Sequence, residues 1–137
     1  MKDAVCSFLQ LRNSNTDPIQ KLDGTLLPVV SEAKFLGVIF AKKLSFIPHI
    51  KYLKSKCLKA LNLLKVLANT DLGGDRIVLL RLYRSLIRSK LDYGSTVYGS
   101  ARKSYLQMLD TVHNQGLRLA LGAFRTSPKE SLYTEAN

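Results

Sequence analysis

Residues 48–68, PHIKYLKSKCLKALNLLKVLA, decide how the chain folds. At about 100° per residue, Ile50, Leu53, Cys57, Ala60, Leu61, Leu64 and Ala68 fall on one side of a helix. Lys51, Lys54, Ser55, Lys59, Asn62 and Lys65 fall on the other. That is the pattern of an amphipathic helix over 49–68, with one buried stripe and one wet, basic face. Pro48 suits its first turn, where a missing backbone N–H costs nothing.

Two further helices follow toward the C-terminus. Residues 69–75, NTDLGGD, form a loop in which Gly74 or Asp75 can cap the next helix. Over 76–91 the apolar side is Leu79, Leu82, Tyr83, Leu86 and Ile87. Arg81, Arg84 and Arg88 lie within about 60° of one another on its flank. Asp92-Tyr93-Gly94 ends or kinks this helix. A third spans 103–121, with Gly122 as its left-handed C-terminal stop. Its stripe is Tyr105, Met108, Leu109, Val112, Gly116 and Leu119. A glycine on an apolar helix face costs about 1 kcal/mol of helix propensity, so Gly116 predicts close contact with a second helix. Residues 124–128 read as an extended or turn segment leaving the bundle.

Upstream of residue 44 the character changes to short extended runs separated by turn residues. Residues 4–11 read as a strand. Asp23-Gly24, between 19–22 and 25–30, is a hairpin signal, because both turn positions need positive φ. Pro28 places the second arm at a sheet edge. Phe35-Leu36-Gly37-Val38-Ile39-Phe40 is a continuous apolar run that reads as a strand buried on both faces. Gly37 within it marks either a close backbone approach or a bend. The expected fold is α+β: a β-rich part over 1–44, then a basic three-helix bundle over 45–137.

The charge balance narrows function. Lys and Arg total 21 against 10 Asp and Glu, a net charge of +11 with a pI near 9.9. A compact body so charged calls for a polyanionic partner. Lysines about one turn apart, roughly 5 Å along a helix axis, can track a phosphate backbone. Such binding is indifferent to base identity and steeply salt-dependent. Lys51, Lys54, Lys59, Lys65, Arg81, Arg84 and Arg88 are the candidate nucleic-acid-binding residues, set against the plainer reading of a solvated helix face. Tyr93, Tyr98 and Tyr105 are candidate stacking surfaces, set against core packing.

Enzyme chemistry has no foothold here. Cys6 and Cys57 stand far apart, outside any zinc or disulfide spacing, and read as small buried hydrophobes of a reducing, intracellular compartment (cytoplasm or nucleus). His49 and His113 have no carboxylate or cysteine at metal-ligand spacing. Gly73-Gly74 runs into Asp75, not into a phosphate-loop lysine. No run approaches the ~20 apolar residues of a membrane span. The chain taken alone is expected to catalyse nothing and to carry no cofactor.

Three stretches carry a resemblance: AKFLGVIFAKKLSFIPHIKYLKSKCLKALNLLKVL at 33–67, RLYRSLIRSKLDYGSTVYGSA at 81–101, and LDTVHNQGLRLALGAFRTSPKESLY at 109–133. With FLGV, PHI, SKLDYG and GAFRTSP in this order, the chain resembles the part of non-LTR retrotransposon reverse transcriptases (jockey-like elements above all) that follows their catalytic core. The resemblance implies that Phe35, Leu36, Gly37 and Val38 lie in the primer-grip strand ending the palm. It implies that the helices from His49 onward form the thumb, which holds an RNA–DNA hybrid or duplex by its backbone. The family's catalytic Asp pair and Mg²⁺ site would lie upstream of Met1. Ala41 stands where the family has an acidic residue, and Leu72 where it has an aromatic one. The implied identity is an inactive fragment of an RNA-directed DNA polymerase, dependent on the rest of its palm. The alternatives are a stand-alone basic binding or adaptor module, or a pseudogene product without function.

Overall fold

The structure, a computed structural model, describes residues 21–22, 25–26, 30–43, 45–69 and 75–136. The expected strand at 4–11, Cys6, Pro28, Leu72 and the Asp23-Gly24 turn lie outside these residues. The chain divides into two compact units, Met1–His49 and Ile50–Asn137.

In the N-terminal unit, β1 (Lys21–Leu22) pairs antiparallel with β2 (Thr25–Leu26), Leu22 opposite Thr25. This is the pairing that an Asp-Gly hairpin predicts. A second hairpin joins β3 (Glu32–Phe35) to β4 (Val38–Ala41), with Phe35 opposite Val38. The run 35–40 is therefore not one buried strand. It folds back on itself at Leu36 and Gly37, whose φ values are 45° and 82°. Two positive-φ residues make the tight turn whose twist matches that of paired strands. Gly37 marks the bend, and the four residues expected in one strand are split, Phe35 ending β3 and Val38 opening β4. The turn also reverses the burial expected of the first two. Phe35 and Leu36 are 67% and 73% exposed, whereas Val38 is buried. Phe40 meets Phe46 edge-on at 6.0 Å, and the Ile39 N–H donates to His49 Nδ1 at 3.3 Å. His49 thus serves the hairpin's backbone, and burial holds its imidazole below the usual histidine range.

Helix α1 (Ile47–Ala68) carries the predicted stripe. Ile50, Leu53, Cys57, Ala60, Leu61 and Leu64 are all buried, with Cys57 a free thiol. Asp75 caps α2 (Arg76–Tyr83) by accepting from the Ile77 N–H at 2.9 Å. The helix then passes without a break through a π-helical turn (Arg84–Arg88) into α3 (Ser89–Asp92), the Ser89 N–H reaching back to the Arg84 carbonyl. A short α4 (Ser95–Tyr98) follows Gly94. Buried Tyr98 donates its hydroxyl to the Leu91 carbonyl and so ties α4 to the end of α3.

Helix α5 (Lys103–Leu121) ends where glycine allows. Gly122 is left-handed at φ 64°, and the Ala123 N–H donates to the Arg118 carbonyl at 2.9 Å, the six-residue closure of a helix C-terminus. Along α5, Leu109, Val112, Gly116, Leu117 and Ala120 are buried, while Tyr105, Met108 and Leu119 are half-buried. Gly116 faces the Tyr83 ring, the close helix contact its sequence position predicts. Residues 124–128 form the expected turn segment, and beyond it Lys129–Ala136 forms a helix outside the expected three, α6, anchored by fully buried Leu132. The fold is α+β, two small hairpins followed by helices.

Candidate nucleic-acid interface

The periodicity that buries one side of α1 turns its lysines outward. Lys51, Lys59 and Lys65 are exposed and Lys54 is half-buried. Three of the four lysines therefore face solvent, and the fourth does so in part.

The arginines are handled differently. Arg81 and Arg84 are exposed on the long helix, and Arg84 donates to the Ala136 carbonyl at the end of α6. Arg76 pairs with Glu135 at 3.0 Å, so two arginines hold the C-terminal end of α6, where a helix dipole favours cations. Arg88 lies 3.5 Å from Asp92, one turn on. Both groups of that pair are more than half exposed, so solvent leaves little net attraction. Arg84 and Arg88 share a cleft of about 320 Å³ with Tyr83, Asp92, His113 and Tyr133, and Arg81 does not line it.

At the floor of this cleft the aromatic groups are locked together. The Tyr83 hydroxyl meets His113 Nδ1 at 2.5 Å. His113 stacks on Tyr133 at 5.7 Å, and the Tyr133 hydroxyl donates to Oδ1 of buried Asn114 at 3.0 Å. Burial first, then the Arg88 charge, holds His113 below the usual histidine range. Burial pushes Tyr83 upward, and it raises Tyr98 to about 12. A neutral His113 accepts from a protonated Tyr83, and each state supports the other.

These shifts set a pH window. Native His113 refuses a proton that the unfolded chain takes up near 6.5, so its contribution is complete above 6.5 and lost as pH falls through the lowered native value. His49 acts with the same sign. Tyr83 and Tyr98 ionise near 10 in the unfolded chain, so their contribution is complete below 10 and lost at higher pH. Urea midpoints should form a plateau between these limits and fall on both sides. His113→Gln should flatten the acid limb, and an unchanged limb would count against this assignment.

A second cleft was not predicted as a unit. Lys65 of α1 lines it with Gln115, Arg118 and Arg125, at the C-terminal end of α5. Of these only Lys65 stands out from sequence. The signal available for the others was a pair of arginines flanking the helix-stopping Gly122. Tyr98 belongs to the core, Tyr105 is half-buried, and Tyr93 remains exposed.

Among the described residues no three His, Cys, Asp or Glu side chains come together as a metal group. No described helix is long and apolar enough to cross a membrane.

Neither a family model nor a solved structure matches the chain. Curated proteins do. A "Retrovirus-related Pol polyprotein from type-1 retrotransposable element R1" of Bradysia coprophila is 32% identical over 98 residues, 71% of this chain and 10% of that protein. A "Probable RNA-directed DNA polymerase from transposon BS" of Drosophila melanogaster is 28% identical over 82% of this chain and 12% of its own length. The "RNA-directed DNA polymerase from mobile element jockey" of Drosophila funebris is 29% identical over 86% of this chain and 13% of its own. The chain spans only about a tenth of the curated relatives it matches. It is a homologue of one segment of the RNA-directed DNA polymerases of non-LTR retrotransposons.

Proposed function

We propose that this chain is the template–primer-holding part of a mobile-element RNA-directed DNA polymerase. Residues 1–44 are the end of its palm and 45–137 its thumb. They grip an RNA–DNA hybrid or duplex by its phosphates and contribute no catalytic group. The observation that carries this reading is the lysine row on the outer side of α1, opposite a fully packed stripe. A row of that kind reads charge and spacing, not base identity.

Fluorescence anisotropy with a labelled RNA–DNA hybrid tests it. With four lysines on phosphates, the log–log salt slope should be about −3.6, so affinity falls roughly a hundredfold from about 50 to about 200 mM salt. Absent or salt-independent binding would overturn the proposal. The chain alone, given primed template, nucleotides and Mg²⁺, should incorporate nothing. Incorporation above a no-protein control would refute the assignment of an inactive holding part.

A further inference from the structure

We propose that the cleft at the C-terminal end of α5 is a discrete seat for a phosphate group, supplied by the phosphodiester of a nucleic-acid strand. This rests on the nucleic-acid reading above, but assigns a site that the lysine row does not include as such. Three separate segments build it: Lys65 from α1, Gln115 and Arg118 from α5, and Arg125 from the chain beyond Gly122. Its volume, about 550 Å³, falls in the range of small-ligand sites and leaves room for a phosphate with its sugar.

The electrostatics are lopsided. A helix C-terminus carries about half a negative charge and attracts a cation. Here Lys65, Arg118 and Arg125 bring three positive charges, and no carboxylate among the described residues lines the cleft. The surplus exceeds what the helix end can offset. Asp110 lies in the neighbouring cleft on the other side of Arg118, where Lys129 accompanies it. The excess therefore persists when that side is counted.

Arg118 is also held in place. Its Nη2 donates to the Ser127 carbonyl at 3.3 Å, which fixes the guanidinium before any ligand arrives. Its Nε is buried without a hydrogen-bond partner. A guanidinium oriented by the backbone and accompanied by two more cations favours a tetrahedral oxyanion over a single carbonyl. The terminal amide of Gln115 adds a neutral donor at the same wall.

The test uses the full chain, ¹⁵N-labelled, with tripolyphosphate as the probe. The amides of Gln115, Ala123 and Arg125 should shift at lower concentrations than those of Lys51, Lys54 and Lys59. Lys65→Gln with Arg125→Gln should abolish those early shifts, while Lys51→Gln with Lys59→Gln, equal in charge lost, should leave them. Uniform shifts along the chain, or none, would overturn the proposal. The same cleft variant should lower the salt slope for the RNA–DNA hybrid by about 1.8, two phosphate contacts' worth. A hybrid slope left unchanged by the cleft pair would overturn the assignment of the cleft to a strand phosphodiester. If tripolyphosphate shifts the cleft but the hybrid fails to bind, the seat stands and the nucleic-acid source falls.

Discussion

Valine at Gly116 is expected to lower the stability of the helical unit by about 3 kcal/mol, at the upper end of overpacking costs. A Cβ at this position would lie 2.8 and 2.9 Å from two carbons of the Tyr83 ring, and 3.1 Å from Ile87 Cδ1. Neither neighbour has room to retreat, since both are essentially fully buried and the ring is pinned through its hydroxyl to His113. Alanine makes the same first overlap but regains about 1 kcal/mol of helix propensity, so it should fall between glycine and valine. Urea unfolding followed by circular dichroism gives the ordering. Equal midpoints for all three would mean that the two helices can move apart at no cost.

Removing the other partner should cost as much or more. Tyr83→Ala is expected to destabilise by about 3–5 kcal/mol, the usual range for deleting a buried aromatic. That is a large part of the ~5–15 kcal/mol that holds a domain together. The loss has two components which Tyr83→Phe separates. Phenylalanine keeps the ring on Gly116 and gives up only the hydrogen bond to His113, at about 1 kcal/mol. The two sites should also be coupled. Once the ring is gone the overlap at 116 is gone, so Gly116→Val should cost at least about 1 kcal/mol less in the Tyr83→Ala background. Strict additivity of the two changes would contradict the contact.

Features of the fold that depend on neighbours in sequence were legible. The burial of α1, the Asp75 cap and the Gly122 stop follow from period, capping chemistry and positive φ, all settled within a turn or two of chain. Those resting on remote partners were not. Helix α6 has one buried apolar anchor, Leu132, which is too little to make a period. Its remaining support comes from Asn114, Arg76 and Arg84 in other helices. The run 35–40 looked like a strand because its residues are apolar. Only the left-handed pair at Leu36 and Gly37, the first of which a branched side chain disfavours, turns it into a hairpin. The candidate site divides in the same way. The lysine row is a local pattern and could be read directly. The cleft joining Lys65 to Arg118 and Arg125 exists only once α1 and α5 are brought together.

The π turn at Arg84–Arg88 has a further consequence, for the tolerance of this region to changes in length. A single turn closing i to i+5 takes up one residue more than an α-turn while the helix on either side continues. The turn therefore works as a slack loop in an otherwise taut cable. Deleting Ser85, which is exposed, should shorten the cable by that slack and leave Tyr83 on Gly116 and Leu91 under the Tyr98 hydroxyl. A deletion in the uninterrupted α5 has no slack to draw on and would rotate every later side chain by about 100°. Loss of a single codon should accordingly be accommodated here and rejected one helix further on.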